Sequence, residues 1–433
     1  MIGAPESWLS ARRYLSSLLS PFFKMKLKKN IIYITRNGLL EPLGQSQVFS
    51  YLRGLSEFYR ITLITYEKHE DLLDSIRVRG LCENCERLGI NWLPQRFIAT
   101  PKLIVPALSM LRMVWLLASQ VIRQRACLIH ARSYIPATVA MLVGRFTRVP
   151  FIFDMRALWP EELITAHRLQ RGTWLHKAIV ASERACLRRA AAVISLTHAA
   201  VKHLQRVYPS DLHGQTVEVI PTCADLDRFV PTTRPSTQHV IGCLGTVLSG
   251  WFRIDWLAAF FVIGAKRNPS LRFDLTTRDD PEKVRAAIGG DAELQSRLRV
   301  ASCSSDRVHE VLQGQTASVM FYAGGEISEL GRSPTRMAEI LGCGLPVVAN
   351  EGVGDVAQII RGHRVGVLVS GPSESEMNAA WDELQQLLND PDLAVRCRRA
   401  AEECFSLEAG TAAYLGLYKQ VLSKSECNEV VKG

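Results

Sequence analysis

Ser333, Thr335, Arg336 and Glu339 bring two hydroxyls, a guanidinium and a carboxylate together within seven residues. Ser333 is suited to cap a helix and Pro334 to open it. Gly342 and Gly344 suit its end, and residues 345–349 then read as a buried strand. On such a helix Met337, Ile340 and Leu341 share the buried face, while Thr335 and Glu339, four apart, share the other. The helix tip would offer unpaired N–H groups, the two hydroxyls and the arginines Arg332 and Arg336, a setting for an anion such as phosphate. Glu339 stands roughly 8–9 Å further along, at about 1.5 Å per residue. A diphosphate at the tip and a ribose diol on the carboxylate fit that separation. The turn 351–355, ending in Asp355, follows at the strand's carboxyl end, where open α/β sheets bind ligands. An ordinary capped helix before a core strand explains the same residues, so the rest of the chain has to decide.

Three further places carry polar groups next to strand ends. Asp154, Arg156, Glu161 and Glu162 follow the apolar run 150–154, as a catalytic rim would, or as a salt-bridged loop would. A loop from Asn37 to Gly44 leads into a helix, so Gly44 is a candidate phosphate or sugar cradle. Thr246 follows the strand 240–244, and Arg278 follows the strand 271–276. Cys82 and Cys85 form a lone CxxC with no second pair nearby, which reads as coincidence rather than as a zinc or redox site.

These groups need elements to hold them, and the chain is long enough for more than one core. At 433 residues, with 47% apolar and 22% charged residues, it reads as a soluble globular chain of two or three domains. Half of the net charge of +10 lies in residues 1–30, where Arg12, Arg13, Lys24, Lys26, Lys28 and Lys29 face Glu6 alone. The basic balance does not point to nucleic acid, because no recognition motif accompanies it. The eleven cysteines are irregularly spaced, which suits reduced thiols in a cytosol better than a disulfide framework. No apolar run is long enough for a transmembrane helix.

In order, residues 1–29 read as a basic amphipathic extension suited to contact with a membrane surface, with a poorly ordered tail and a natural start at Met25 as the competing readings. Strand, loop, helix and strand alternate from residue 30 to about 235. The segment 102–125 is a long helical pattern that suits core packing, with membrane contact as the competing reading. The stretch 231–238 is rich in Pro, Thr and Ser and reads as a linker. The alternation restarts over 236–405, and 406–433 adds a last helix, expected to return to the first half, and a tail. The fold class expected is α/β, with two doubly wound Rossmann-like domains facing a central cleft.

With these motifs in order, the chain resembles the family-4 glycosyltransferases of the GT-B fold from about Asn30 onward. The resemblance rests on 41–47 (EPLGQSQ), 130–134 (HARSY), 154–159 (DMRALW), 219–229 (VIPTCADLDRF) and 333–347 (SPTR through Glu339 to GLPV). It implies a retaining transferase without a metal site or a bound cofactor, using a UDP- or GDP-linked sugar as substrate and a glycan or lipid-linked acceptor. It implies that Glu339 holds the ribose and that Ser333 to Arg336, with Thr246 and Arg278 nearby, hold the diphosphate. Asp154 stands where many relatives have a histidine at the transferred sugar, so Asp154 with Arg156 is expected to take part of that role or to orient the acceptor. The family pattern has a second glutamate eight positions before Glu339, and here that position is Gly331. The resemblance also implies a place in cell-surface polysaccharide or glycolipid assembly, on the inner face of the cell membrane. The competing readings are a nucleotide-sugar epimerase or hydrolase of the same fold and a non-catalytic membrane-associated scaffold.

Overall fold

The computed structural model of the chain describes residues 28–97, 104–232 and 238–430. The basic amphipathic segment before Lys28 and most of the expected linker lie outside the described residues.

Two all-parallel sheets organise the molecule. The first holds β1 (Asn30–Thr35), β2 (Arg60–Glu67), β3 (Ile90–Arg96), β4 (Leu128–Arg132), β5 (Phe151–Asp154), β6 (Ala192–Ser195) and β7 (Val217–Val219). The second holds β8 (Val240–Leu244), β9 (Arg272–Thr276), β10 (Leu298–Ala301), β11 (Ala317–Met320), β12 (Val347–Asn350) and β13 (Gly366–Val369). Their strand orders are 3-2-1-4-5-6-7 and 10-9-8-11-12-13, so the order reverses between β1 and β4 and again between β8 and β11. Such reversals open a crevice at the strands' carboxyl ends. The strands read as near-continuous apolar runs because helices cover both faces of each sheet. In β1, Ile31, Ile32, Tyr33 and Ile34 are all buried, on alternating sides.

The helices that matter here are α1 (Pro42–Gly44, a π-helical turn Gln45–Phe49 and Ser50–Ser56), α2 (Ser75–Arg87), α3 (Ile104–Gln124) and α4 (Tyr134–Thr147). They continue with α5 (Trp159–Thr165), α6 (Trp174–Arg189), α7 (His198–Val207), α8 (Ile254–Arg267) and α9 (Thr335–Gly342). The last four are α10 (Val356–His363), α11 (Glu374–Leu388), α12 (Leu393–Phe405) and α13 (Leu407–Val430). Helices α3, α4, α6 and α7 bury their apolar faces on one side of the first sheet, and α1 and α2 cover the other. Helix α13 leaves the second half and packs beside α1, where Tyr414 and Tyr418 enter the core of the first half and the Tyr51 and Tyr414 rings meet edge-on at 5.0 Å. The CxxC cysteines lie on α2, where Cys85 is buried and its thiol is pushed up to about 12 by burial.

Short polar contacts join the halves. Thr222 donates its amide to Ser333 Oγ at 3.2 Å and its hydroxyl to the Ser333 carbonyl at 2.8 Å. Thr197 Oγ donates to the Leu330 carbonyl at 2.5 Å. Asp355 accepts the amides of His198 at 2.7 Å and Ala199 at 2.9 Å, so a side chain of the second half caps α7 of the first.

Candidate active site

Helix α9 begins at Thr335, one residue later than the sequence suggests. Pro334 occupies the N-cap position and no side chain caps the helix. Ser333 cannot do so because its hydroxyl and carbonyl are engaged by Thr222. The helix ends at Gly342 with Cys343 as its C-cap, and Gly344 follows with a φ of +76°, open to glycine at little cost. Met337, Ile340 and Leu341 are fully buried in the core of the second half. Arg398 of α12 donates to the carbonyls of Leu226, Phe229 and Gly342, fixing the far end of α9 against the segment that crosses between the halves. The other face of α9, with Thr335 and Glu339, looks into a cleft of about 720 Å³.

That cleft lies between the halves. The first half contributes Glu41, Gln45 and Ser46, the crossing segment Asp225 and Arg228, and the second half Arg278, Ser305, Thr335 and Glu339. Thr335, Glu339 and Arg278, which are 57 or more residues apart between Arg278 and the helix, thus share one cavity. The Glu339 carboxyl is raised to about 7, because burial disfavours its charge and Arg336 and Arg228 only partly offset this. Among the described residues its carboxylate accepts no hydrogen bond.

Arg336 points elsewhere. Its guanidinium lies 5.6 Å from the Tyr322 ring centre and so close to Gly245 that a Cβ there would come within 2.7 Å of its Cζ. Gly245, with φ +90°, therefore lets Arg336 rest on the loop after β8. Nη1 of Arg336 is buried there without a protein partner. Asp279 holds this loop by accepting the amides of Val247 and Leu248. Thr246, on the same loop, is exposed and does not line the cleft.

A second cavity, of about 520 Å³, lies over the carboxyl ends of β1 to β4. Arg36, Lys68, Phe97 and Ser133 each follow the last residue of β1, β2, β3 and β4 in turn, and all four line it. Tyr134, Trp159 and Arg168 are among the other residues of its wall. Arg36 lies over the Phe97 ring at 5.1 Å. Glu41 and Lys68, paired at 2.9 Å, belong to both cavities, so the two meet at this ion pair. Behind the wall, Tyr134 donates to the buried Glu183 at 2.8 Å, and burial raises that carboxyl to about 7 against the pull of the tyrosine hydrogen bonds. The positive φ of Ser133 (+78°) and Arg156 (+62°), at the ends of adjacent strands, places backbone strain next to this cavity.

Several expected site residues have other tasks. Gly44 lies inside the first turns of α1, and a Cβ on it would meet Leu39 Cα at 2.8 Å, so it permits close packing of helix on loop and is no phosphate cradle. Ser333 and Asp355 join the two halves. Asp154 is fully buried and lines neither cavity. His130 Nε2 lies 3.3 Å from its carboxylate, Arg132 Nη1 3.5 Å and Arg156 Nη1 3.6 Å. The Tyr414 hydroxyl donates to it at 3.3 Å. Burial alone would raise this carboxyl, but Arg156, the His130 hydrogen bond and Arg132 outweigh it and hold it at about 2. The carboxylate thus serves as the counter-charge of a buried cluster outside both cavities, whereas a catalytic role at the rim was expected of Asp154. Arg156 belongs to the same buried cluster and reaches toward Tyr414.

The absent second glutamate has a steric reason. Gly331 ends the 3-10 turn Ile327–Gly331, and a Cβ on it would sit 2.9 Å from the Leu158 amide nitrogen. The preceding carboxylate, Glu329, is buried and holds Arg332 in a two-pronged ion pair at 2.5 and 2.9 Å. The cavity residues missed in the sequence, Arg36, Lys68, Phe97 and Arg168, belong to no motif. Three of them could have been found only from their position directly after a strand.

No curated protein sequence matches the chain significantly. Residues 45–223 match the family model described as glycosyl transferase 4-like domain. Among solved structures, sucrose-phosphate synthase from Thermosynechococcus elongatus is similar with a TM-score of 0.67 at 15% identity, over 92% of this chain and 100% of that one. HepE of Anabaena, in complex with UDP and glucose, is similar with a TM-score of 0.61 at 14% identity, over 90% of this chain and 99% of that one. A putative UDP-N-acetylglucosamine 2-epimerase from Listeria monocytogenes is similar with a TM-score of 0.58 at 12% identity, over 92% and 98%. Residues 45–223 thus resemble a glycosyl transferase 4-like domain, and the chain as a whole shares the two-sheet GT-B architecture of these structures.

Proposed function

We propose that this protein transfers a sugar from a nucleotide-sugar donor to a glycan or lipid-linked acceptor, with retention of anomeric configuration. The observation that carries this reading is the meeting of two cavities, one between the halves and one over the first sheet, at the Glu41–Lys68 pair. A donor in the first and an acceptor in the second would present their reacting atoms to one another there. UDP is the favoured nucleotide, because the similar HepE binds UDP and glucose.

In this reading Glu339 accepts hydrogen bonds from the ribose hydroxyls. The diphosphate lies at the amino end of α9, beside Thr335 and within reach of Arg278 and Arg228. The helix N–H groups and the guanidinium groups stabilise the charge that develops as the nucleotide leaves. The acceptor hydroxyl attacks from the face the leaving group vacates and gives its proton to a donor phosphate oxygen, since Asp154 lies buried outside both cavities. The reaction needs no metal ion, and EDTA should leave its rate unchanged. The acceptor side, with Arg36, Lys68 and Arg168 among aromatic rings, suits an anionic glycan or a lipid-linked sugar in cell-surface polysaccharide or glycolipid assembly. Peripheral membrane contact through residues 1–29 fits such an acceptor.

An epimerase is the second reading, supported by the similar fold of the Listeria protein. Incubating the protein with a panel of nucleotide sugars, with and without lipid extract, separates them by mass spectrometry. Transfer predicts a glycosylated product only when acceptor is present. Conversion of the donor alone to a new nucleotide sugar would overturn the transferase reading.

A further inference from the structure

The outer face of α3 and α4 carries a set of apolar side chains that the core does not use. On α3, Leu111, Trp115 and Ile122 are 65%, 71% and 71% exposed, although Met113, Leu117 and Val121 of the same helix are buried. The spacing of 4 and then 7 keeps the three on one stripe. On α4, Leu142 and Phe146, four apart, are exposed as well, Phe146 by 82%. The two helices pack against each other and bury their inner faces in the same core layer, so both stripes point away from the same side of the sheet.

The charge around this face has one sign. Between Glu86 and Asp154 the sequence has nine basic residues and no Asp or Glu. Arg112, Arg123 and Arg125 of the α3 segment and Arg145 and Arg148 of the α4 segment are all exposed. An aromatic and aliphatic stripe flanked by arginines, on two helices that themselves carry no Asp or Glu, matches the headgroup region of an anionic bilayer in both apolar and charge character. No helix among the described residues is long and apolar enough to cross a membrane. The position of the stripe also relates to the acceptor cavity, because Tyr134 and Ile135 at the start of α4 line that cavity. Leu142 follows Ile135 along the helix by about 10 Å, at about 1.5 Å per residue.

We propose that the exposed face of α3 and α4 docks on an anionic phospholipid bilayer, independently of residues 1–29. Docking would hold the mouth of the acceptor cavity near the headgroups. The inference does not depend on the reaction, and its test uses no substrate, so its failure and failure of the transferase reading are distinct.

The full chain is sedimented with vesicles of phosphatidylglycerol and phosphatidylcholine, and with phosphatidylcholine alone. Binding to the anionic vesicles is expected, weaker to the neutral ones and weaker again in high salt. The double variant Trp115→Glu with Phe146→Glu should partition at least about tenfold less, with its thermal unfolding midpoint retained. Wild-type partitioning by that folded variant overturns the proposal, since another segment would then hold the vesicle. Absence of binding by the wild type overturns it too, and leaves the face to a protein partner. If the double variant does not fold, Trp115→Phe decides. Quenching of tryptophan emission by brominated lipid should be smaller in Trp115→Phe than in the wild type, and equal quenching overturns the proposal.

Discussion

Gly331 faces the Leu158 amide across the junction of the two halves, and the space between them has no room for a Cβ, which would stand 2.9 Å from that nitrogen. Backbone from the first half thus occupies the place where the resemblance implied a glutamate. Gly331→Ala should cost about 1–3 kcal/mol by overpacking. Gly331→Glu should cost more, and should lower turnover rather than improve it. Chemical denaturation together with a donor titration checks both. A Gly331→Glu variant with gained activity would show that the junction opens to admit the side chain.

Glu339 should govern donor affinity. Glu339→Ala is expected to cut turnover and raise the donor KM, and near-wild-type kinetics would remove Glu339 from the donor site. Its raised carboxyl adds a pH signature. With a value of about 7 in the fold, its ionised form, gained as pH rises through 7, accepts from ribose hydroxyls with both oxygens and more strongly than the neutral acid. The wild-type donor KM should therefore fall by up to about tenfold between pH 6 and pH 8, and Glu339→Gln should be flat. Stability has the opposite sign. An acid raised from 4.5 to about 7 costs the fold nothing below 4.5, and the cost grows as pH rises to 7. Glu339→Gln should accordingly be more stable than the wild type at pH 8, by about 1–3 kcal/mol, and equal to it near pH 4.

Asp154 should be a residue of stability. Asp154→Asn leaves Arg132 and Arg156 buried side by side without a counter-charge, and should cost about 3–5 kcal/mol. Because its carboxyl lies at about 2 in the fold, below its ordinary value of 3.8, its contribution is fully present above 3.8 and is lost as pH falls toward 2. Urea denaturation of wild type and variant over that range should show the wild type losing stability and the variant losing less. A variant with unchanged stability and lost turnover would return Asp154 to the catalytic step.

Asp355 should act on the junction and leave donor binding alone. Asp355→Ala removes the acceptor for two amides at the start of α7 and should cost about 0.5–2 kcal/mol. Its donor KM should change far less than that of Arg278→Ala, whose side chain lies in the cleft. A large rise in KM with stability intact would place Asp355 at the donor after all.

Much of the fold was legible in the chain itself. Continuous apolar runs such as 30–35, alternating with helical periodicity and interrupted near 231–238, specify parallel strands covered on both faces, and these patterns are local. The two-faced helix with Thr335 and Glu339 opposite Met337 was legible for the same reason, since a period of 3.6 is set by neighbouring residues. What each polar group does was not local. Ser333 and Asp355 look like ligand-binding residues until the approach of Thr222 and of α7 shows their oxygens already occupied. Asp154 looks like a base on a strand end until Arg132, Arg156, His130 and Tyr414, the last of them 260 residues away, close around it. The cavity over the first sheet was legible only in part, because Ser133, Tyr134 and Trp159 belong to quoted motifs whereas Arg36, Lys68 and Phe97 each follow a separate strand end and belong to none. The sequence by itself therefore determined the elements and their faces. Only the tertiary structure decided which polar groups remain free, because a hydrogen bond or ion pair is a property of two residues brought together, and the pairs that matter here lie far apart in the chain.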